Sequence, residues 1–467
     1  MLISTILLAL TTSLPSQEAI PVSHFRQLFV DDHVIAERDG VDLTLHQPAK
    51  HPDNPVLRAE HPWESKGVAI YGTVMHDDGL FRMWYRAIDD TCYACYAESD
   101  DGVHWRKPVL NARPHRGSTE NNIVLGGPEF YLDGFAVIRD DHEWDLARRY
   151  KMLTCTHHRR FAAMISPDGL HWRGPINSPA PLDTGDVISL YHDTGLGKFV
   201  ALLKRRFVYD AAQPGPERKR ARLVAYSDDL INWSEPSWAL VPDEQDPPTT
   251  ELYSHVAYMY QGMRIGYVTN FEVATERIDV ELCTSRDGLS WHRYRERVPF
   301  IPNGPDRTCD AGMALAGASG LVIRDDRIWI YYLGADHDHE GQVDDGGEPT
   351  PSGICLAQLR LDGFVSADAG PDGGTLLTKP LLCSGSTLRI NADAPAGEIR
   401  AEFLDADGQP IPGRDLASAI PFTGDAVNTQ LQWQPPSEGP PSLIGQPISI
   451  RFHLRNADLY SFWFDAP

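Results

Sequence analysis

The chain has 467 residues, with 42 Lys and Arg against 65 Asp and Glu, a formal charge of −23. An apolar share of 42% with 9% aromatic residues supplies sizeable cores and excludes a disordered chain. The acid excess excludes nucleic acid and membrane as main partners, because both select clustered Lys and Arg, and 38 Gly with 36 Pro point to short strands and many turns.

The first segment, Leu2 to Leu10, is almost wholly apolar and is followed by the polar stretch Thr11 to Glu18. It is too short to span a bilayer and reads as an export signal over residues 1–19, which predicts a secreted or periplasmic protein. The seven cysteines, Cys92, Cys95, Cys155, Cys283, Cys309, Cys355 and Cys383, are thinly spread. Cys92 and Cys95 form a CxxC with no second pair at zinc-finger spacing, and in a strand they point to opposite faces. They read as small buried residues, and the pairing of the seven is left open.

Further along, one short pattern recurs: Ser99-Asp-Asp-Gly-Val-His-Trp105, Ser166-Pro-Asp-Gly-Leu-His-Trp172, Ser227-Asp-Asp-Leu-Ile-Asn-Trp233 and Ser285-Arg-Asp-Gly-Leu-Ser-Trp291, at spacings of 67, 61 and 58 residues. A degenerate fifth copy is Leu361-Asp-Gly-Phe364. Asp-Gly favours a tight turn because such turns need positive φ. Ahead of each turn lie strand-like runs such as IYGTVMHDDG, FRMWYRA and CYACYAES in the first copy, and HVAYMYQG, RIGYVTN and DVELCTS in the fourth. Five units of about 60 residues with four strands each predict an all-β, five-bladed β-propeller over residues 20–370. Closure needs an outer strand from the other end of the chain, for which Gln27 to Ile35 is the candidate.

After Gly370 the repeat stops, and short alternating runs such as EIRAEFLDADG, ISIRFHLRNAD and LYSFWFD predict a C-terminal β-sandwich accessory domain over residues 371–467.

The innermost strands of a propeller line one channel, so the loops leading into them ring one mouth. Polar residues at those positions are Trp63, Glu64 and Tyr71, then Asn121, Asn122 and Asp133, then Asp186, then Glu251, Tyr253 and His255, and last Asp310. Carboxylates crowded into one funnel raise one another's pKa, which is costly unless they are used. Two suffice to cleave a glycosidic bond, one as acid and one as base or nucleophile. The expected catalytic set is Asp133, Asp186, Glu251 and Asp310: by position, Glu251 as acid, Asp186 and Asp133 as base and pKa-setting groups, Asp310 in reserve. Trp63, Glu64, Tyr71, Arg86, Asn122, Tyr253 and His255 are expected to bind the sugar.

The repeat, the segment HPDNPVL (His51–Leu57), the MWYRA strand and the later TSRDGLSW, DAGM and IYYLGA segments resemble the glycoside hydrolase superfamily of families 32, 43 and 130. The likeness covers Leu28 to about Leu361 and is closest to exported "family 32-like" proteins. HPDNPVL followed by a YR-containing strand is particularly similar to family 130, which acts on β-mannosides. The resemblance implies an Asp/Asp/Glu-type site in the funnel. The family 32 motifs WMNDPNG, RDP and EC are absent, so it does not imply a fructan substrate.

Three other features carry less. The Ser-x-Asp-Gly turns are similar to sialidase Asp boxes but lack one residue, and Arg82, Arg86, Arg139 and Arg264 do not gather as a carboxylate-binding triad. The cluster Asp336-His-Asp-His-Glu340 could hold a divalent ion, calcium among them, yet reads better as a solvated acidic loop, and no cofactor is required. Arg218 to Arg222 reads as a solvated basic loop. The reading is thus an exported glycoside hydrolase with a carbohydrate substrate. A non-catalytic carbohydrate-binding propeller and a family 130-like phosphorylase are the alternatives. Linkage, stereochemical course and oligomeric state are not written in the sequence.

Overall fold

The computed structural model describes residues 19–22, 24–128, 130, 132–156, 160–176, 187–208, 218–343, 346–383, 385, 387–434 and 443–465. The protein is all-β: every regular element among these residues is a strand, apart from two single 3-10 turns, Pro62–Glu64 and Leu146–Arg148. Two compact units separate, residues 45–364 and residues 1–44 with 365–467. The sequence reading put residues 20–44 with the repeat; the contacts group them with the C-terminal strands. Of the expected export signal, residues 1–18 lie outside the described residues.

In the unit of residues 45–364, successive antiparallel sheets follow chain order. The first joins Gly67–Asp77, Leu80–Ile88, Cys92–Ser99 and Ile123–Gly126, and the second Phe135–Arg139, Tyr150–Thr156 and Arg160–Ser166. Ser189–Asp193, Lys198–Val208, Arg218–Ser227 and Ser237–Leu240 form the third. Thr250–Tyr260, Met263–Glu272, Arg277–Ser285 and His292–Arg293 are joined in turn, and Met313–Leu315 and Val322–Arg324 flank Arg327–Ala335, which pairs with Gly353–Arg360.

Both faces of each sheet are buried, so the side-chain alternation of one strand feeds two cores. In Leu80–Ile88, Phe81, Met83 and Tyr85 enter one cluster with Tyr331, Leu333 and Leu356, while Trp84 enters another with Val137, Met152 and Met164. The other face of the second sheet packs through Leu153 and Phe161 on Leu190 and Leu203 of the third, whose far face meets Val268 and Trp291. The last sheet therefore packs back on the first. Cys92 and Cys95 fall into different clusters, as the strand period requires.

The first strands of the sheets are tied to one another and to the segment 316–319 by side-chain hydrogen bonds and one short parallel pairing. Thr73 Oγ1 accepts from the Val137 N–H at 2.8 Å, Ser254 Oγ donates to the Ala316 carbonyl at 2.7 Å, and Ala318–Ser319 pairs in parallel with Gly72 and Thr73.

The four Ser-x-Asp turns share one construction. The Ser hydroxyl accepts the backbone N–H three residues on, at 2.9 Å in each, from Gly102, Gly169, Leu230 and Gly288. The Asp carboxylate accepts two further N–H groups, as from Leu170 and His171 to Asp168. The residue after the Asp has φ of 79°, 77° and 79° where it is glycine, and Leu230 takes 64° in the third copy. A left-handed backbone is obligatory there, and leucine bears it with its side chain fully buried.

The closing strand differs from the expected one. Gln27–Leu28 pairs with Phe462 and Ser461, and Ile35–Asp39 pairs with Thr375–Thr378, both within the other unit. Ala49–Lys50 instead pairs with Gln358 and Ala357 on the outer side of the last sheet. The HPDNP segment then secures this edge, because the Asn54 side chain donates to the Leu356 carbonyl at 2.9 Å and accepts the Leu356 N–H at 2.7 Å. A two-residue strand has no periodicity to read, whereas the earlier segment is two strands, Gln27–Leu28 and Ile35–Asp39, separated by bends and paired elsewhere.

The second unit centres on the long strand Leu388–Leu404, which pairs with Phe422–Gln430, Pro447–Arg455 and Ala457–Phe464. Its core includes Phe29, Phe452 and Phe462, with ring centroids 6.1 and 5.3 Å from Phe462.

Candidate active site

Two bulges shape the site. The pairing of Gly67–Asp77 with Leu80–Ile88 loses register between Ala69 and Thr73, and Tyr71 stands in that irregularity. In Thr250–Tyr260 the register shifts between Leu252 and Ser254, which isolates Tyr253. A bulge re-aims a side chain out of the regular alternation, and each tyrosine is half-exposed at the leading end of an inner strand.

Around Tyr71, the neighbouring strand contributes Arg86, whose guanidinium lies 5.4 Å from the ring centroid. Its Nη1 donates to Asp133 Oδ1 at 2.5 Å. Burial disfavours the Arg86 charge, but Asp133, Cys92 and Tyr71 together outweigh it and hold its pKa above the ordinary value. Tyr71 and Arg86 line a cavity of about 500 Å³ with Met313, His337 and the segment 349–352.

Around Tyr253 the charges are denser. Lys204 Nζ lies 4.6 Å and the Arg220 guanidinium 5.2 Å from its ring centroid. Arg220 Nη1 donates to Glu251 Oε2, and that carboxylate is 3% exposed. His339 Nε2 is 3.3 Å from the Tyr253 hydroxyl, and its Nδ1 is 3.4 Å from Glu276 Oε2. Burial, then Glu340 and Asp338, raise the Glu276 pKa above the usual carboxylate range, against the pull of Arg220. Burial, followed by Arg220 and Lys204, lowers that of His339, which favours the neutral imidazole.

The two groups share one support. Tyr71 and Tyr253 both pack on the cluster that contains Phe271, Ile278 and Met313, and Met313 is the register partner of Ile278, two residues past Glu276.

Several expected residues are elsewhere. Glu64 is fully buried: it accepts from the Tyr85 hydroxyl at 2.5 Å and from the Glu60 and His61 N–H groups, and it pairs with Lys107 at 2.9 Å. Trp63 donates through Nε1 to Asn122 Oδ1 at 2.9 Å, and Asn122 in turn donates to Tyr85 and to the Tyr96 carbonyl. Trp63, Glu64 and Asn122 are thus one satisfied interior network, because residues leading into a strand must also anchor it. His255 is also interior, edge-on to Trp291 at 4.5 Å, and burial holds its pKa well below the ordinary value. It follows Tyr253 past the bulge and so points into the sheet stack. Asp310 pairs with Lys50 at 2.6 Å and accepts from Tyr332 at 2.7 Å, on a second cavity of about 550 Å³ that shares Thr350 and Pro351 with the first. Asp186 lies outside the described residues.

Lys204, Arg220, Glu276 and His339 are what sequence reasoning missed. Arg218 to Arg222 is not a solvated loop: it opens the strand Arg218–Ser227, with Lys219 and Arg222 buried and Arg220 on the face beside Glu251. A run of cations normally marks water, but here remote acids face it; around Lys219 burial still outweighs Asp246, Glu251 and Glu272 and lowers the pKa. The Asp336–Glu340 cluster stays at the surface, with His339 and Glu340 exposed, as the sequence reading had it. Asp336 accepts from Thr350, Asp338 accepts the Glu340 and Gln342 N–H groups, and among the described residues no three His, Cys, Asp or Glu side chains form a metal-holding group.

Chemically, a carboxyl held above its usual range is suited to donate a proton, and carboxylates fixed by guanidinium groups are placed to orient a water or a sugar hydroxyl. Tyrosine faces beside them offer a platform for a sugar ring.

No protein-family model matches the chain. A 1,2-beta-oligomannan phosphorylase from Thermoanaerobacter sp. (strain X514) is 25% identical over 322 residues, 61% of this chain and 92% of that protein. The chain resembles the family 130 enzymes. Among solved structures, one comes from the GH130 family of mannoside phosphorylases, which contains glycoside hydrolases that target beta-1,2 mannosidic linkages in Candida mannan. It matches at 17% identity over 69% of this chain and 96% of that one, with a TM-score of 0.46. A thermostable family-43 glycoside hydrolase matches at 16% identity over 65% and 93%, with a TM-score of 0.45. The family 130 likeness spans nearly the whole of the phosphorylase, so the unmatched remainder of this chain is additional to it.

Proposed function

We propose that the protein cleaves glycosidic bonds of a β-mannoside-type oligo- or polysaccharide by hydrolysis at the rim formed by Tyr71, Arg86, Asp133, Lys204, Arg220, Glu251, Tyr253 and Glu276. In this reading residues 45–364 are a five-bladed β-propeller, the strands of residues 371–467 form a β-sandwich, and residues 1–19 direct export to a secreted or periplasmic location. The observation that carries it is the grouping of Glu251, Arg220 and Glu276 around Tyr253, in which one carboxylate is bonded to a guanidinium and the other carboxyl is pushed toward its protonated form.

Glu276 is the proton donor to the leaving oxygen, and Glu251 and Asp133, each with one oxygen already bonded to arginine, activate water and position the sugar. This moves the acid role from Glu251, expected from the sequence, to a residue at a turn between strands. Hydrolysis is preferred because Arg86 and Arg220 are each matched by a carboxylate, so the rim has little positive charge to spare for phosphate. The second reading is phosphorolysis, favoured by Lys204 beside Arg220 and by the likeness to a phosphorylase.

The test is to incubate the purified protein with β-1,2-linked manno-oligosaccharides, with and without inorganic phosphate. Free mannose at a rate independent of phosphate supports hydrolysis. A sugar 1-phosphate formed only with phosphate supports phosphorolysis, and unchanged oligosaccharide across a panel of glycans refutes both in favour of a binding module.

A further inference from the structure

Cys309 and Cys355 are separated by 46 positions, yet their sulfur atoms are 3.3 Å apart. Cys355 lies on Gly353–Arg360 and Cys309 on the segment leading to Asp310. Gly334 makes the approach feasible: a Cβ there would meet Cys355 Sγ at 2.6 Å and the Cys309 carbonyl at 2.9 Å. Cys309 lines the cavity of about 550 Å³, together with Lys50, His51, Arg58 and Arg307. Cys309 is half-buried, whereas Cys355 is buried, as are Cys95, Cys155, Cys283 and Cys383.

We propose that Cys309 and Cys355 form a reversible thiol–disulfide site, oxidised by a soluble low-molecular-weight disulfide that enters this cavity. The Cys309 thiolate attacks one sulfur of that disulfide, forming a mixed disulfide and expelling one thiolate. The Cys355 thiolate then attacks Cys309 Sγ, forming the internal bond and expelling the second. Two protein thiols are oxidised, one external disulfide becomes two thiols, and the protons lost by the cysteines go to the expelled thiolates. The order of attack follows from the surroundings. The Cys355 hydrogen bond first, and Lys50 in addition, draw the Cys309 thiol below its ordinary pKa against burial and Asp310, while the same bond and burial push Cys355 up. Bond formation needs the sulfurs to close from 3.3 Å to about 2.0 Å.

The test uses the full chain with oxidised glutathione, followed by alkylation under unfolding conditions, proteolysis and mass spectrometry. The expected product is a Cys309–Cys355 linked peptide that lacks two hydrogens and is restored by dithiothreitol. A Cys355→Ser variant should instead keep one glutathione on Cys309. Separate alkylation of Cys309 and Cys355 in the treated wild type, a glutathione that stays on Cys309 with Cys355 intact, or an unmodified Cys309 in the variant would each overturn the proposal.

Discussion

Tyr71 and Tyr253 stand at matching irregularities of two inner strands, each displaced from its pairing by a bulge and each faced by an arginine that holds a carboxylate. The likeness is one of construction: the strand supplies the aromatic, and a neighbouring strand supplies the guanidinium. If the rings are platforms for sugar, Tyr253→Ala should raise KM about tenfold, roughly 1.4 kcal/mol, with a smaller effect on kcat, and Tyr253→Phe should retain most of the affinity. Steady-state kinetics of the three proteins check this.

Glu276 should set the alkaline side of the pH profile. Its pKa is raised, so the proton-donating form is lost as pH climbs through that value, and the rate should fall with it. In Glu276→Gln the residual rate should be lower by roughly 100-fold or more, and the alkaline limb should vanish. A profile unchanged in shape would assign the proton to another group.

The repeated turns make a different pH prediction. Burial works against the Asp168 charge, but N–H groups from His171 and Leu170 and the hydroxyl of Ser166 overcome it and hold the pKa near about 2, against an ordinary 3.8. Because the folded value is depressed, the stabilisation is present above pH 4 and disappears as pH falls toward 2. Asp168→Asn should therefore lower the melting temperature at pH 7 and converge on the wild type in acid. Asp229 and Asp287 are held down in the same way.

Gly102 and Gly79 separate backbone strain from crowding. Both have positive φ, 79° and 77°, but a Cβ at Gly102 would meet Phe81, Tyr331 and Trp329 at 2.8 to 2.9 Å, whereas none of the described atoms lies within 4 Å at Gly79. Gly79→Ala should cost about 1 kcal/mol and Gly102→Ala about 2–4 kcal/mol. Denaturant unfolding of the two variants measures the difference.

What the sequence made legible was what is local. The Ser-x-Asp-Gly turns repeat because four separate backbones need the same hydrogen bonds and the same left-handed residue, and that demand is written in seven consecutive positions. The opposite faces of Cys92 and Cys95 follow from strand period alone. The bulges at Tyr71 and Tyr253 have no such signature, since register depends on the partner strand. Arg220 was hidden because its compensating carboxylate, Glu251, is 31 positions away, and Glu276 because a turn residue carries no periodic signal. Trp63, Glu64 and His255 were misassigned for one reason: nearness in sequence to a strand's leading end does not say whether a side chain faces the mouth or the stack.

The central claim is that the Glu251 carboxylate, held by Arg220, acts on a glycosidic bond. The most direct measurement is the rate of sugar release from β-1,2-linked manno-oligosaccharide by wild type and by Glu251→Gln, alongside their melting temperatures. The account predicts release by the wild type and a loss of roughly 100-fold or more in kcat/KM with little change in melting temperature. Equal rates in the two proteins would contradict it.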